Sequence, residues 1–225
     1  MTVRPRIFAD RAAAGAALGR ELLKQLLLPP ILVLALPRGG VAVAYEVART
    51  LAAPLDVMLV RKIGLPGQPE LAMGAIASGG VIVHGEGMDK AFPDLAEAFD
   101  RQVAEERAEL ERRERIYRHG LGPLTLADKT TILVDDGLAT GSTMRAAIEA
   151  ARRAAARSII VAAPVASPEA ATLVRAEADA AVILQTPPRL LAIGEWYRNF
   201  EQLDDAQVCR LLDRSRSLPA RRVAK

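Results

Sequence analysis

The stretch Ile132-Leu133-Val134-Asp135-Asp136-Gly137-Leu138-Ala139-Thr140-Gly141-Ser142-Thr143-Met144 decides how the rest of the chain is read. An apolar run, Thr130–Val134, ends in two adjacent carboxylates, passes through a turn containing two glycines and opens a helix-forming stretch at Ser142. In an open parallel sheet, ligands bind outside the carboxyl ends of the strands, so this loop lies where a ligand should sit. Its chemistry suits a sugar phosphate. Backbone N–H groups and hydroxyls of Thr140-Gly141-Ser142-Thr143 can turn toward a phosphate, with the positive end of a helix dipole behind them. Asp135 and Asp136 can accept hydrogen bonds from vicinal ribose hydroxyls or hold magnesium through water. Ser142 on its own could be an ordinary helix N-cap. Capping leaves unexplained why two acids follow a buried strand. No lysine precedes Ser142, so the turn is not a Walker A loop and a nucleoside triphosphatase mechanism has no anchor.

Outward from this segment, short apolar runs alternate with helical stretches. Ile31–Leu36, Leu55–Val60, Thr130–Val134, Ser158–Val165 and Ala180–Gln185 read as buried strands, and Arg11–Leu27, Val41–Leu51, Ser142–Ala156 and Pro168–Ala176 as helices. The strands are nearly continuous in apolar residues, as expected where helices cover both faces of a parallel sheet. The pattern predicts a doubly wound α/β fold with a mainly parallel five-stranded sheet flanked by helices. Two stretches break the alternation. Between Lys62 and Gly87 lie seven glycines and two prolines around the runs Leu71–Ala77 and Val81–His84, which predict a small hairpin or lid inserted as a flap. Asp94–Arg118 is strongly charged, with Leu95, Phe99, Val103, Leu110 and Tyr117 on one helical stripe. That composition predicts a solvated helix packed along one edge.

With 225 residues, 51% hydrophobic and 4% aromatic, the chain can bury a sizeable α/β core. The formal charge is +3, yet Arg214–Lys225 holds five cations and no acid, which leaves 25 basic against 27 acidic residues in the body. A basic surface for nucleic acid therefore has no support in the global charge. Arg214–Lys225 reads as a flexible basic tail. One cysteine, Cys209, excludes an intramolecular disulfide, and the start of the chain lacks a signal-peptide layout, so the cytoplasm is the expected compartment. The longest apolar run, Leu26–Leu36, is broken by Pro29 and Pro30 and is too short to span a bilayer. His84 and His119 are isolated from other ligand-type residues.

Ile132–Thr143 resembles the signature of type I phosphoribosyltransferases that binds 5-phosphoribosyl-1-pyrophosphate (PRPP): an apolar strand, two acids, a short linker, then Thr-Gly-Ser-Thr. The match extends loosely over residues 28 to 205. The resemblance implies a five-stranded parallel core with a small hood, transfer of a phosphoribosyl group to a nitrogenous base with release of pyrophosphate, and magnesium as cofactor. It assigns donor binding to Asp135, Asp136, Ala139, Thr140, Gly141, Ser142 and Thr143, with Asp135 and Asp136 also toward the metal. Leu36-Pro37-Arg38-Gly39-Gly40 resembles the pyrophosphate loop, with backbone amides at Gly39 and Gly40 and Arg38 as the cation that meets the leaving group. Members of the family often carry a non-proline cis peptide in this loop. Arg61 and Lys62 resemble the basic pair that precedes the mobile loop of adenine-type members, and either side chain would reach the pyrophosphate. Trp196 and Tyr197, in the aromatic-rich stretch Ile193–Phe200, are candidates for a platform that stacks on the base.

The expected organisation is one domain over residues 1–213, with a flap at residues 62–87, a hood contribution at residues 187–205 and a tail at residues 214–225. Ala139 stands where 6-oxopurine enzymes often carry Asp, which turns the expectation toward adenine- or uracil-type bases. Glu70 in the flap is the one candidate proton acceptor. A homodimer fits the family, and neither membrane nor nucleic acid is an expected partner. The competing function is a PRPP-sensing or nucleotide-sensing regulator of the same fold without transferase activity. A sugar-phosphate hydrolase lacks a nucleophile motif.

Overall fold

The computed structural model describes residues 7–65, 68–84 and 96–217. Helix α1 (Arg11–Leu22) leads into β1 (Ile31–Ala35), α2 (Gly39–Leu51) and β2 (Leu55–Val57). The chain then enters β3 (Val60–Leu65), β4 (Gln68–Ala77), β5 (Val81–His84) and the long helix α3 (Ala96–Tyr117). It returns through β6 (Thr130–Val134), α4 (Ser142–Arg153), β7 (Ser158–Val165), α5 (Pro168–Glu177), β8 (Ala180–Gln185) and α6 (Asp205–Arg216). Five strands form a parallel sheet in the order β2-β1-β6-β7-β8, and β3-β4-β5 form a smaller antiparallel sheet.

Alternation of side chains along each strand explains the continuous apolar runs. Val33, Ala35, Ile132, Val134, Ile160 and Ala162 enter a core shared with α1, α2, α3 and α6. Their neighbours Leu32, Leu34, Leu133, Ile159, Val161 and Ala163 enter a second core under α4 and α5. Each strand therefore needs apolar residues on both faces. Among the described residues, no helix is long and apolar enough to cross a membrane.

Strand order fixes where the two sequence-predicted loops lie. From β1 the chain moves outward through α2 to β2, and from the adjacent β6 it moves the opposite way through α4 to β7. A crevice opens at such a reversal, beyond the carboxyl ends of the two strands. It lies between Leu36–Gly40 and Asp135–Gly141.

Three boundaries differ from the sequence reading. The run Leu55–Val60 is split, because the chain leaves the parallel sheet at Leu59. There the buried Ser78 satisfies the backbone: Leu59 N donates to Ser78 Oγ at 2.9 Å and Ser78 N donates to Leu59 O at 2.9 Å. The flap is more than a hairpin. Ile63, Met73, Ile76 and Ala77 are almost wholly buried, so the inner part of the small sheet belongs to the core beneath α3 and α4. Residues 66–67 and 85–87 of the expected lid lie outside the described residues. Finally, α6 runs to Arg216 rather than fraying at Arg214: Ser215 is buried and the Arg214 guanidinium lies 5.3 Å from the Tyr45 ring centroid. The tail beyond Ser217 lies outside the described residues.

Helix α3 behaves as its stripe predicts. Val103, Leu110 and Tyr117, spaced by seven, are buried, and Phe99 packs partly against the same core. Leu95 lies outside the described residues. Leu110 is 1% exposed and Leu26 is 89% exposed. Leu110→Ala should cost about 2–5 kcal/mol of unfolding free energy and Leu26→Ala within about 0.5 kcal/mol. Urea unfolding of the two variants checks this, and equal costs would contradict the packing of α3.

Candidate functional site

The two loops that flank the crevice are built against each other. Leu36 N donates to Val134 O at 2.9 Å, which ties the end of β1 to the end of β6. The next peptide bond but one, Pro37–Arg38, is cis, the non-proline cis bond that the pyrophosphate-loop resemblance implies. Helix α2 then begins at Gly39, with Val41 N donating to Arg38 O at 3.1 Å. A Cβ on Gly39 would stand 1.9 Å from Asp136 Oδ2, and one on Gly40 would stand 2.8 Å from Val134 O. Neither position admits a side chain, because the backbone of α2's first turn rests on the two acids.

Asp135 and Asp136 differ in surroundings. Asp135 Oδ1 accepts from Asp136 N at 2.8 Å. Asp136 Oδ2 accepts from Arg11 Nε at 2.7 Å, and the two side chains are 12% and 10% exposed. Arg11 Nη1 donates to Glu201 O at 2.7 Å, and the guanidinium lies 3.8 Å from the Phe200 ring centroid. Tyr197 Oη donates to Asp136 O at 2.5 Å. Burial raises the affinity of both carboxyls for protons. For Asp135 the charge of Asp136 adds to the effect, whereas Arg11 opposes it at Asp136. Two carboxylates thus share one cation.

The phosphate-type loop ends at Gly141, whose φ of 77° is a left-handed conformation that glycine adopts without cost. Gly141, not Ser142, occupies the N-cap of α4, and no side chain caps the helix from that position. Thr140 Oγ1 and Ser142 Oγ lie 3.0 Å apart, and Thr140 and Ala139 are exposed beside them. Leu138 pins the loop to the sheet: its N donates to Val165 O and its O accepts from Ser167 N, both at 2.9 Å. The helix N-terminus and the hydroxyls of Thr140 and Ser142 therefore meet at one turn, an arrangement able to receive an anion.

Of the cations, Arg38 lies in the loop at the crevice, with Nη1 at 3.9 Å from Asp205 Oδ1. That carboxylate also accepts from Tyr117 Oη at 2.5 Å. Arg61 and Lys62 part company, since successive residues of a strand face opposite ways. Arg61 Nε is 2.5 Å from Glu106 Oε2 of α3, so that side chain is paired within the protein. Lys62 is exposed and lines a cleft of about 630 Å³ together with Ser142, Arg145, Glu149 and His84, which places it on the same side as the phosphate-type loop. The Glu70 side chain lies outside the described residues.

The aromatic platform needs correction. Tyr197 is 5% exposed, stacks on Phe200 at 4.9 Å between centroids, lies 5.8 Å from Phe8 and spends its hydroxyl on Asp136. No open ring face is left for a base. Trp196 is half-buried against the same cluster. This aromatic group closes the N-terminal stretch onto the C-terminal one, with Phe8 N donating to Trp196 O and Arg198 N to Phe8 O, each at 2.9 Å.

Arg11 does not stand out in the sequence as a site residue. Asp10 caps α1 by accepting from Ala13 N at 2.7 Å, which sets Arg11 at the first helical position. A cation there opposes the positive end of the helix dipole, and that conflict is the available signal of a tertiary partner.

The family model of the phosphoribosyl transferase domain matches residues 10–185. The chain belongs to that family. It is 41% identical over 210 residues to "Putative phosphoribosyl transferase MT0597" of Mycobacterium tuberculosis strain CDC 1551, and equally to its counterpart in strain H37Rv. These matches cover 93% of this chain and 47% of each relative, so the chain spans about half their length. The crystal structure of TT1426 from Thermus thermophilus is similar at 40% identity and a TM-score of 0.82, over 91% of this chain and 97% of that one. The five-stranded parallel sheet with flanking helices is thus the fold of this phosphoribosyltransferase-type chain.

The state of Asp135 is open to test. A carboxyl whose affinity for protons is raised by folding leaves stability intact below the ordinary carboxylate value, about pH 3.9, and costs stability as pH rises toward the raised value. Asp135→Asn should therefore raise Tm at pH 7–8 by about 2–4 °C, the shift that roughly 1 kcal/mol produces in a domain of this size. The gain should disappear near pH 4. Calorimetry at the two pH values checks it, and a lower Tm at pH 7–8 would contradict the unfavourable burial of that charge.

Proposed function

We propose that this chain transfers the 5-phosphoribosyl group of PRPP to a nitrogenous base, purine or pyrimidine, with release of pyrophosphate. The observation that carries the reading is the meeting of two loops at the sheet's reversal: Arg38-Gly39-Gly40 after β1 and Asp135–Thr143 after β6, packed so closely that only glycine fits between them. The open N-terminus of α4, with Thr140, Gly141, Ser142 and Thr143 and the flanking Ala139, receives the 5′-phosphate. Asp135 and Asp136 hold ribose hydroxyls. Gly39 and Gly40 offer backbone amides to the pyrophosphate, and Arg38 and Lys62 offer charge to it.

In the reaction the bond from C1′ to the pyrophosphate oxygen breaks as a bond from C1′ to the base nitrogen forms, and the leaving group takes the electron pair. The transition state carries oxocarbenium character. Negative charge grows on the pyrophosphate, so Arg38 stabilises the transition state more than the bound donor.

Magnesium suits the chemistry of the donor set. Two adjacent carboxyls meet the cation Arg11 and both resist carrying their charge, so a bound cation would favour their ionised form. Asp135 and Asp136 would hold the ion, directly or through water and ribose hydroxyls. Bound there, magnesium supplies neutralising charge for the pyrophosphate.

Steady-state turnover of PRPP against a panel of purines and pyrimidines, followed by pyrophosphate release, tests the reading. Arg38→Ala should lower kcat by about 10–100-fold with a smaller change in donor affinity. Tight binding of PRPP with no release for any base would favour the sensing function, and a pure affinity change in Arg38→Ala would remove that side chain from the transition state.

A further inference from the structure

Three elements distant in sequence meet beside the loop Leu36–Gly40: the start of α2, the end of α3 and the start of α6. We propose that Asp205, held by Tyr117, is the positioning residue that aims Arg38 at the pyrophosphate. The proposal rests on the PRPP reading and deepens it.

The Arg38 guanidinium has little else to hold it. Its side chain is 34% exposed, and among the described residues it donates no hydrogen bond; Asp205 Oδ1, at 3.9 Å from Nη1, is the acid it faces. A pair this long and this exposed is weak by itself. A free arginine side chain loses rotamer freedom when it meets a phosphate, and the loss subtracts from binding. A fixed carboxylate at one corner of the guanidinium reduces that cost and leaves the remaining N–H donors for the phosphate.

Asp205 is fixed as this role requires. Tyr117 is 2% exposed, and its hydroxyl donates at 2.5 Å to Asp205 Oδ1, the same oxygen that faces Arg38. Burial and the bond to the carboxylate both raise the affinity of the Tyr117 hydroxyl for its proton, so it remains a donor. The backbone beneath Asp205 is set by the capping box of α6, in which Asp204 Oδ1 accepts from Gln207 N at 2.6 Å and Asp204 N donates to Gln207 Oε1 at 2.8 Å. Helices α3 and α6 are joined again where Arg216 Nη2 donates to Tyr117 O at 3.3 Å. The helix dipole favours an acid in the first turn, which accounts for the residue type at 205. It does not account for a buried hydroxyl spent on the oxygen that faces Arg38.

Charge gives the test its sign. A carboxylate that only competed for Arg38 would oppose pyrophosphate, and its removal would tighten binding. A positioning carboxylate does the reverse. Free pyrophosphate carries in full the charge that develops on the leaving group of PRPP, so it reports on Arg38 more strongly than the donor does.

The test is calorimetric binding of inorganic pyrophosphate and, separately, of PRPP, each with magnesium, to the full chain and to Asp205→Asn, Tyr117→Phe, Arg38→Ala and the double variant Asp205→Asn/Arg38→Ala. Asp205→Asn should weaken pyrophosphate by about 3–10-fold and leave PRPP within about twofold. Tyr117→Phe should shift the same ratio in the same direction by less. In the Arg38→Ala background, Asp205→Asn should add less than about twofold, because the side chain it positions is gone. The Asp205 side chain is 41% exposed and Asn matches it in size, so the fold is retained; should it fail, the Tyr117→Phe ratio decides. Tighter pyrophosphate binding by Asp205→Asn, equal weakening of both ligands, or full multiplication of the two effects in the double variant would overturn the positioning role alone. A wild type that binds neither ligand brings down the PRPP reading, and this role with it.

Discussion

The backbone of Gly39 and Gly40 lies so near Asp136, Val134 and Asp135 that no side chain fits between the loops after β1 and β6. Most of the molecule serves that approach. The parallel pairing of β1 with β6, in register from Ile31 opposite Thr130 to Ala35 opposite Val134, brings the two strand ends level. The bond from Leu36 N to Val134 O carries the pairing one residue further. Helices α2 and α4 then leave toward opposite faces, each buried in its own apolar core, and the space between their first turns becomes the crevice.

Charge is arranged around the same point. Taking two carboxylates out of water is costly unless cations or donors meet them, and one arginine meets only one of them. The molecule therefore holds a residual demand for positive charge or hydroxyl donors where the ligand arrives. Arg38 and Lys62 are disposed around the crevice and its neighbouring cleft rather than spent on the acids. This separation is what the proposed donor, with phosphate at both ends and hydroxyls in the middle, would require. The chain achieves it with few aromatics: Phe8, Tyr197 and Phe200 all go to closing the N-terminal stretch over the C-terminal one.

Much of this is readable from the residues. Thr130–Val134, Ser158–Val165 and Ala180–Gln185 are delimited as strands because apolar runs this short, rich in β-branched residues and alternating with helical stretches, fit buried strands better than buried helices. The loop Asp135–Thr143 is legible because two adjacent acids after an apolar strand are more than a turn or a helix cap calls for. What escapes depends on contacts between distant segments. Nothing local marks Arg11 as the partner of Asp136, 125 residues away, except its unfavourable place at a helix start. Tyr197 looks like a free aromatic because sequence does not show Phe8 and Phe200 covering it. The inner flap looks loose through its glycines, yet Ile63, Met73 and Ile76 anchor it, and their burial follows from α3 and α4 lying against the small sheet. Arg61 and Lys62 look equivalent until the pleat of β3 sends one to Glu106 and the other to the cleft beside Ser142.

Hydrogen–deuterium exchange of the wild-type chain, with and without PRPP and magnesium, tests the central claim that both loops at the β1–β6 reversal form one donor site. The account predicts added protection in Leu36–Val41 and in Gly137–Met144 together, at the same ligand concentration. Protection confined to one loop, or placed elsewhere with both loops unchanged, would contradict it.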